Sequence, residues 1–338
     1  MIRVALLDDY QNIALKMADW HTLPDDVQVQ AFQDHLTDPD AIVARLRGFD
    51  IVMAMRERTP FPRALLERLP ELKCLSSAGV RNAAIDLEAA TALGILVCGA
   101  YSSPAPTAEL TWAIILSMLR NVPAEVQAVR QGRWQTGLGV ELNGKTLGLL
   151  GAGRIGTRVA RVARAFEMRV LAWSPHLTPE RAREADAEYA SLDDLLRAAD
   201  VVTIHLKLGE GTRGLLGARE LALLRPEAYL VNTSRGPIVD EAALVEALRR
   251  RSFAGAALDV FDEEPLPAGH PLLTLDNAQL TPHLGGHTHD NRRRGYGGTL
   301  ENIKALLEGR EPELVFNPEV LPRRRPLARA VPAAPPAG

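Results

Sequence analysis

Short apolar runs alternate with amphipathic stretches along most of the chain, and this alternation predicts its elements. In the first hundred residues, 2–7 (IRVALL), 27–32, 50–55 (DIVMAM), 72–76 and 95–98 read as strands. Helical stretches at 40–46, 62–69 and 85–93 separate them, the second opened by Pro62 and closed before Pro70. Strands alternating with helices predict a parallel sheet with crossover connections. A Pro/Ser-rich break at 102–106 follows and reads as a domain boundary. Thr107 is placed to cap a long helix, 108–119, that is apolar almost all round (Leu110, Trp112, Ile114, Ile115, Met118). Such a helix is buried on more than one side, as a domain-bridging or subunit-interface element would be. Residues 130–142 read as a loop containing Trp134.

The alternation resumes at Thr146. Strands are expected at 146–150, 169–173, 200–206, 229–231, 255–260 and 279–280, with helices at 154–166, 192–198, 217–224 and 240–250. Beyond His283 the chain turns polar and Gly-rich before a final helix, 299–307, which by its position returns to the first domain. From Leu321 onward Pro, Ala and Arg dominate; such a composition buries no core and is expected to be disordered, with Arg323, Arg324 and Arg325 solvated.

Composition narrows the function classes. A chain of 338 residues suits two domains, and 46% hydrophobic with 24% charged residues is ordinary for a globular protein. A net charge of −3 carries no electrostatic footprint for nucleic acid. Cys74 and Cys98 lie in apolar runs without zinc spacing, so core thiols and no metal are expected. The N-terminus is a strand followed by acids rather than a signal peptide, and no apolar run reaches the ~20 residues that span a bilayer. A cytoplasmic enzyme with no membrane partner is the expectation.

The chemistry starts at TLGLLGAGRIG, residues 146–156. An apolar strand meets Gly151, Gly153 and Gly156, and a helical stretch follows. The first glycine permits the tight bend, the second lets backbone approach a pyrophosphate, and the third lets helix and strand pack closely. Three later segments place polar residues just after apolar strands, at the ligand-binding edge of an open parallel sheet: NTSRG (232–236), LDVFDEEP (258–265) and TPHLGG (281–286). Taken singly, Arg235, Glu264 and His283 could each be an ordinary surface or packed residue. At successive strand ends they suggest a constellation. A carboxylate beside a histidine stabilises the imidazolium, which can protonate a carbonyl oxygen, and the arginine fork suits a carboxylate.

In order and spacing, GAGRIG, NTSRGPIVDEAAL, GAALDVFDEEPLP and TPHLGG resemble the D-isomer-specific 2-hydroxyacid dehydrogenases, over roughly residues 1–318. The resemblance implies an α/β fold of two parallel-sheet domains with a cleft between them. Residues 1–101 plus 284–320 would form a flavodoxin-like substrate domain, 102–283 a Rossmann NAD(P)-binding domain, and 321–338 a disordered tail. It implies Arg235 as substrate anchor, Glu264 as the histidine's partner and His283 as acid/base. Gly151, Gly153, Arg154, Ile155, Gly156, Ser174, His205, Thr233, Ser234, Arg235, Asp259, His283 and Gly286 would face the cofactor, with Asp259 on the nicotinamide carboxamide. The substrate carboxylate would meet the backbone near Ala78, Gly79 and Val80. The helix after Thr107 resembles a dimer-forming segment, so a homodimer is expected.

One departure bears on the cofactor. The acid expected on the adenosine ribose is replaced by Ser174, which removes repulsion of a 2′-phosphate; no arginine follows at once. NAD is expected and NADP stays possible. Arg56 and Arg58, at the end of an apolar strand, could bind a second anion of the substrate or form a surface cluster with Glu57. Three functions therefore stand open: a 2-ketoacid reductase/D-2-hydroxyacid dehydrogenase; a phosphoglycerate-type dehydrogenase taking a substrate with a second anionic group; and an NAD(H)-sensing binding protein of corepressor type.

Overall fold

The computed structural model describes residues 1–327, which fall into two compact units, Met1–Ser103 with the segment from Thr288 onward, and Pro104–His287. The first unit is built on β1 (Ile2–Leu6), β2 (Val27–Ala31), α1 (Pro39–Leu46), β3 (Ile51–Ala54), α2 (Arg63–Leu66), β4 (Cys74–Ser77), α3 (Leu87–Ala92) and β5 (Leu96–Gly99). Its strands lie in the order β2-β1-β3-β4-β5, all parallel, which is the flavodoxin-like order. The period-2 alternation of the strands sorts two cores. Ala5, Leu7, Val52, Ala54, Leu75 and Val97 pack toward Leu46, Leu65 and Phe61 on one face. Ile2, Val4, Leu6, Ile51, Met53 and Cys98 pack toward Trp20, Tyr296 and Ile303 on the other.

In the second unit α4 (Ala105–Leu119) and α5 (Val122–Arg130) precede the sheet. There follow β6 (Thr146–Leu150), α6 (Gly156–Ala165), β7 (Arg169–Trp173), α7 (Pro179–Glu184), β8 (Glu188–Tyr189), α8 (Leu192–Ala198) and β9 (Val201–Ile204). The last part comprises α9 (Ala218–Leu221), β10 (Tyr229–Asn232), α10 (Glu241–Arg249), β11 (Gly255–Leu258) and β12 (Ala278–Leu280). The seven strands run β12-β11-β10-β9-β6-β7-β8, all parallel, which is the Rossmann order with one strand added. The order reverses beside β6, the strand that feeds the glycine turn, and that is where such sheets bind ligands. The chain then returns to the first unit as α11 (His289–Leu307), where Thr299 bonds Ser76 (3.1 Å) and Asn302 donates to the Gly99 carbonyl (2.9 Å).

Several expectations change. α5, α7 and β8 were not anticipated, and α11 begins ten residues before the expected 299 because Thr288 caps it by accepting from Asn291 N–H. One of its glycines packs tightly: a Cβ on Gly298 would lie 2.6 Å from that of Ala100. Thr107 is not the cap of α4, which starts at Ala105. The apolar surround of α4 is explained largely within its own unit, where Trp112, Ile115 and Met118 join the core with Val159, Ala160 and Ala163. Residues 321–327, expected to be unfolded, are ordered. Pro318–Arg323 is a 3-10 helix with Val320 buried, and Arg325 donates to the carbonyls of Leu69, Pro70 and Leu72. A guanidinium satisfying three backbone acceptors is not a solvated charge. The remainder of that expected tail, 328–338, lies outside the described residues.

Candidate active site

The glycine turn at the end of β6 takes the form its spacing requires. Gly151 has φ +105°, and a Cβ on it would sit 2.8 Å from the carbonyl carbon and oxygen of His205, at the end of the neighbouring β9. A Cβ on Gly156, the first residue of α6, would lie 2.0 Å from the Gly151 carbonyl oxygen, so only glycine lets the helix start there. A Cβ on Gly153 would meet nothing within 4 Å. The first and third glycines are thus demanded by the protein's own packing. The middle one is not, and its bareness fits a pyrophosphate brought against the backbone at the start of α6. Arg154 and Ile155 complete the turn. His205 bonds Thr203 Oγ1 (3.0 Å), and burial pushes its imidazole down to about 3, so it is neutral at physiological pH. Ser174 follows the last residue of β7, and the Arg181 guanidinium folds back to the His176 carbonyl (3.5 Å) two residues beyond it.

Three further strand ends carry the polar constellation. After β10, the Asn232 side chain fixes the turn at both ends, accepting from Ser234 N–H (3.0 Å) and donating to the Arg235 carbonyl (2.9 Å), while the Ser234 hydroxyl bonds the Leu206 carbonyl. A Cβ on Gly236 would lie 2.1 Å from the backbone of Phe261, so this glycine presses the Arg235 turn against the loop after β11. In that loop Glu264 accepts from Phe261 N–H (3.0 Å) with one oxygen and bonds His283 Nδ1 (2.5 Å) with the other. Burial alone would push the Glu264 carboxyl up. The His283 hydrogen bond and charge, the Phe261 N–H and the charge of Arg235 together hold it below the ordinary value. Glu264 is therefore ionised, and Arg235 is near enough to act on it.

His283 sits at φ +52°, in the left-handed region that few residues with a Cβ occupy. Asp259, fully buried after β11, holds the segment on both sides of it. One carboxylate oxygen accepts from the Thr281 hydroxyl (2.6 Å) and Leu284 N–H (2.7 Å), and the other from Gly285 N–H (2.8 Å). Burial pushes the Asp259 carboxyl up, against the pull of these three donors and of His283.

The described residues 112–285 match the NAD-binding domain of the D-isomer-specific 2-hydroxyacid dehydrogenases. The chain is 46% identical to a glyoxylate reductase of Aeropyrum pernix over 78% of its own length and 81% of that protein's. It is 38% identical to a D-3-phosphoglycerate dehydrogenase of Methanocaldococcus jannaschii, over 85% of its own length but 55% of that protein's. The chain belongs to the D-isomer-specific 2-hydroxyacid dehydrogenase family. Among solved structures, a D-lactate dehydrogenase of Aquifex aeolicus in complex with NAD and lactic acid superposes with TM-score 0.77 at 28% identity, covering 90% of this chain and 96% of that one. This dehydrogenase is accordingly an NAD-dependent oxidoreductase acting on the CH–OH group of 2-hydroxy acids.

The second unit of the dehydrogenase brings together Arg235, Glu264, His283, Asp259, Thr233, Ser234, Gly286 and the glycine turn. Arg56, Ala78, Gly79 and Val80 belong to the first unit, at the C-terminal ends of β3 and β4. There Asn82 ties the two ends by donating to the Arg56 carbonyl (2.6 Å) and to Ser77 Oγ (3.2 Å). Sequence reasoning missed Asn232, whose turn-fixing role was readable from an Asx residue after a strand. It also missed Arg292. This guanidinium is largely buried, bonds the Met55 sulfur, and has no carboxylate within ion-pair distance among the described residues. Burial and the charges of Arg58 and Arg56 lower it to about 10.

Proposed function

We propose that the protein interconverts a small 2-keto acid and the corresponding D-2-hydroxy acid, with His283 as acid/base, Glu264 as its ionised partner and Arg235 as the anchor of the substrate carboxylate. The observation that carries this reading is the 2.5 Å contact between His283 Nδ1 and Glu264, beside Arg235. With Nδ1 committed to the carboxylate, Nε2 is the nitrogen left to serve the substrate oxygen. In reduction His283 gives its proton to the C2 oxygen, and in oxidation it takes the hydroxyl proton back. Glu264 holds the ring through Nδ1, and Arg235 orients the acid and polarises the 2-keto group. NADH, when bound, supplies the hydride. Gly151–Gly156, Ser174, His205, Thr233, Ser234, Asp259 and Gly286 are the residues we assign to holding it, and the missing acid at Ser174 leaves room for NADP. Ala78, Gly79 and Val80 are assigned to the substrate carboxylate.

The glyoxylate reductases among its relatives support glyoxylate as the first substrate to try. A second reading, a substrate with a second anionic group, is favoured by the gathering of Arg56 and Arg58 near the half-buried Arg292. A cytoplasmic homodimer completes the proposal. Val122, Val126 and Val129 form an exposed stripe along α5, and Trp134 (77% exposed) and Leu138 (95% exposed) lie beyond it, which supports a covered face. No described helix is long and apolar enough to cross a membrane.

The test is NADH and NADPH oxidation with glyoxylate, hydroxypyruvate, pyruvate, 2-ketoglutarate and phosphohydroxypyruvate. Turnover of at least one is expected, with His283→Ala losing about 10²–10⁴-fold in kcat. Undiminished turnover in that variant would sink the assignment.

A further inference from the structure

A row of hydroxyls on α4 joins the two turns that carry Arg235 and His283. Thr107 and Thr111, one helical turn apart, lie on the same face. The Thr107 hydroxyl donates to the Gly285 carbonyl (2.9 Å), two residues after His283. The Thr111 hydroxyl, fully buried, donates to the Thr107 carbonyl (2.8 Å) and lies 2.9 Å from the hydroxyl of Thr233, two residues before Arg235. A hydroxyl has one hydrogen, and a carbonyl can only accept. The hydrogen of Thr111 is therefore spent on the Thr107 carbonyl, and the bond between the threonines must be donated by Thr233. The donors are thereby assigned: the Thr233 hydroxyl gives to the Thr111 hydroxyl, the Thr111 hydroxyl to the backbone carbonyl of Thr107, and the Thr107 hydroxyl to the Gly285 carbonyl, so the link runs through the α4 backbone at Thr107. Gly285 is held between this row and Asp259, because a Cβ there would lie 3.2 Å from the Asp259 carboxylate and 3.3 Å from the Thr107 methyl.

Asp259 anchors the His283 loop from the β11 side, while Asn232 and Ser234 fix the Arg235 turn from within. Among the described contacts, the threonine row is what links one turn to the other through α4. We propose that Thr111 is a positioning residue that couples these two turns, holding Arg235 and His283 in register for one substrate; this rests on the roles given to Arg235 and His283 above. It touches no reacting group itself. Its effect is geometric, since an acid and a carboxylate anchor must address one small molecule and a displacement near 1 Å is worth about 10²-fold in rate.

The experiment is steady-state kinetics of Thr111→Val, which keeps the shape and removes the hydroxyl, with Thr111→Ser and Thr107→Val alongside. Thr111→Val is expected to lower kcat/KM for the 2-keto acid by about tenfold or more, through both kcat and KM, while the Kd for NADH from fluorescence quenching changes by less than about threefold. Thr111→Ser is expected to recover most of the loss. Thr107→Val, which cuts the same row at its next link, is expected to give a similar loss, and the double variant to be no worse than the worse single one. The proposal is overturned if Thr111→Val or Thr107→Val keeps kcat/KM within about twofold of the parent, if the loss is confined to NADH affinity, or if the two losses multiply. Should Thr111→Val not fold, Thr107→Val and the serine variant carry the same decision. His283→Ala, run in parallel, separates this outcome from failure of the catalytic assignment: it tests the histidine and is indifferent to the threonine row.

Discussion

Replacing Asp259 by Asn tests how the His283 loop is held. The carboxylate offers two acceptor oxygens to three donors, the Thr281 hydroxyl, Leu284 N–H and Gly285 N–H, all within 2.8 Å. An amide offers one acceptor and one donor in the same space. Turned the gentler way, its NH2 faces the Gly285 N–H. That loses one charge-assisted bond, worth roughly 1.5–3 kcal/mol, and leaves buried donors facing each other at about 1–3 kcal/mol. Part is recovered because a carboxyl that burial already pushes up no longer has to be held ionised. The net expectation is a loss of about 2–4 kcal/mol in folding stability. Because the slackened segment contains His283, kcat should fall by about 10²-fold as well. Urea denaturation followed by tryptophan fluorescence, with kcat measured on the same preparation, reads both. A midpoint shift worth less than about 0.5 kcal/mol together with parental turnover would refute the account of how this loop is constrained.

Three other expectations follow from the same geometry. Gly153→Ala should keep the parental Tm, since its Cβ meets nothing, yet weaken NADH binding by about tenfold, whereas Gly156→Ala should cost more than about 3 kcal/mol because its Cβ strikes the Gly151 carbonyl; thermal melts and NADH titration separate the two. His205 is held neutral in the fold down to about 3 but takes up a proton near 6.5 when unfolded, so its contribution to stability falls as pH drops from 6.5 toward 3. Between pH 6.5 and 5 a His205→Gln variant should therefore lose about 1.5 kcal/mol less stability than the parent, and equal pH slopes would contradict the burial argument. Ser174→Asp should lower kcat/KM with NADPH by about tenfold while NADH use survives, as read from the two cofactors' rates.

The local sequence determined most of what is local. The short, nearly unbroken apolar runs at 2–7, 50–55 and 95–98 marked strands, and the structure buries both of their faces. The glycine spacing after 146–150 determined the turn, because a Cβ at Gly151 or Gly156 has nowhere to go. The order of Arg235, Glu264 and His283 after successive strands was legible because parallel sheets gather their C-terminal ends at one edge. Other features were decided only by the tertiary structure. Thr107 carries a helix-capping signature, yet its hydroxyl bonds Gly285, 178 residues away, and the cap signal misleads because the helix starts two residues earlier. The start of α11 hides in a Gly-rich stretch that lies inside the helix, where Gly298 is demanded by close packing against Ala100 rather than by a turn of the chain. The Pro/Arg composition beyond Leu321 predicts solvation, but Arg325 finds three carbonyls near the end of α2. Likewise, the restraint of Asp259 on the His283 loop has no signature in spacing. Periodicity and caps are written within a few residues of where they act, whereas a hydrogen bond between distant segments exists only once the sheet has ordered its strands and brought those segments together.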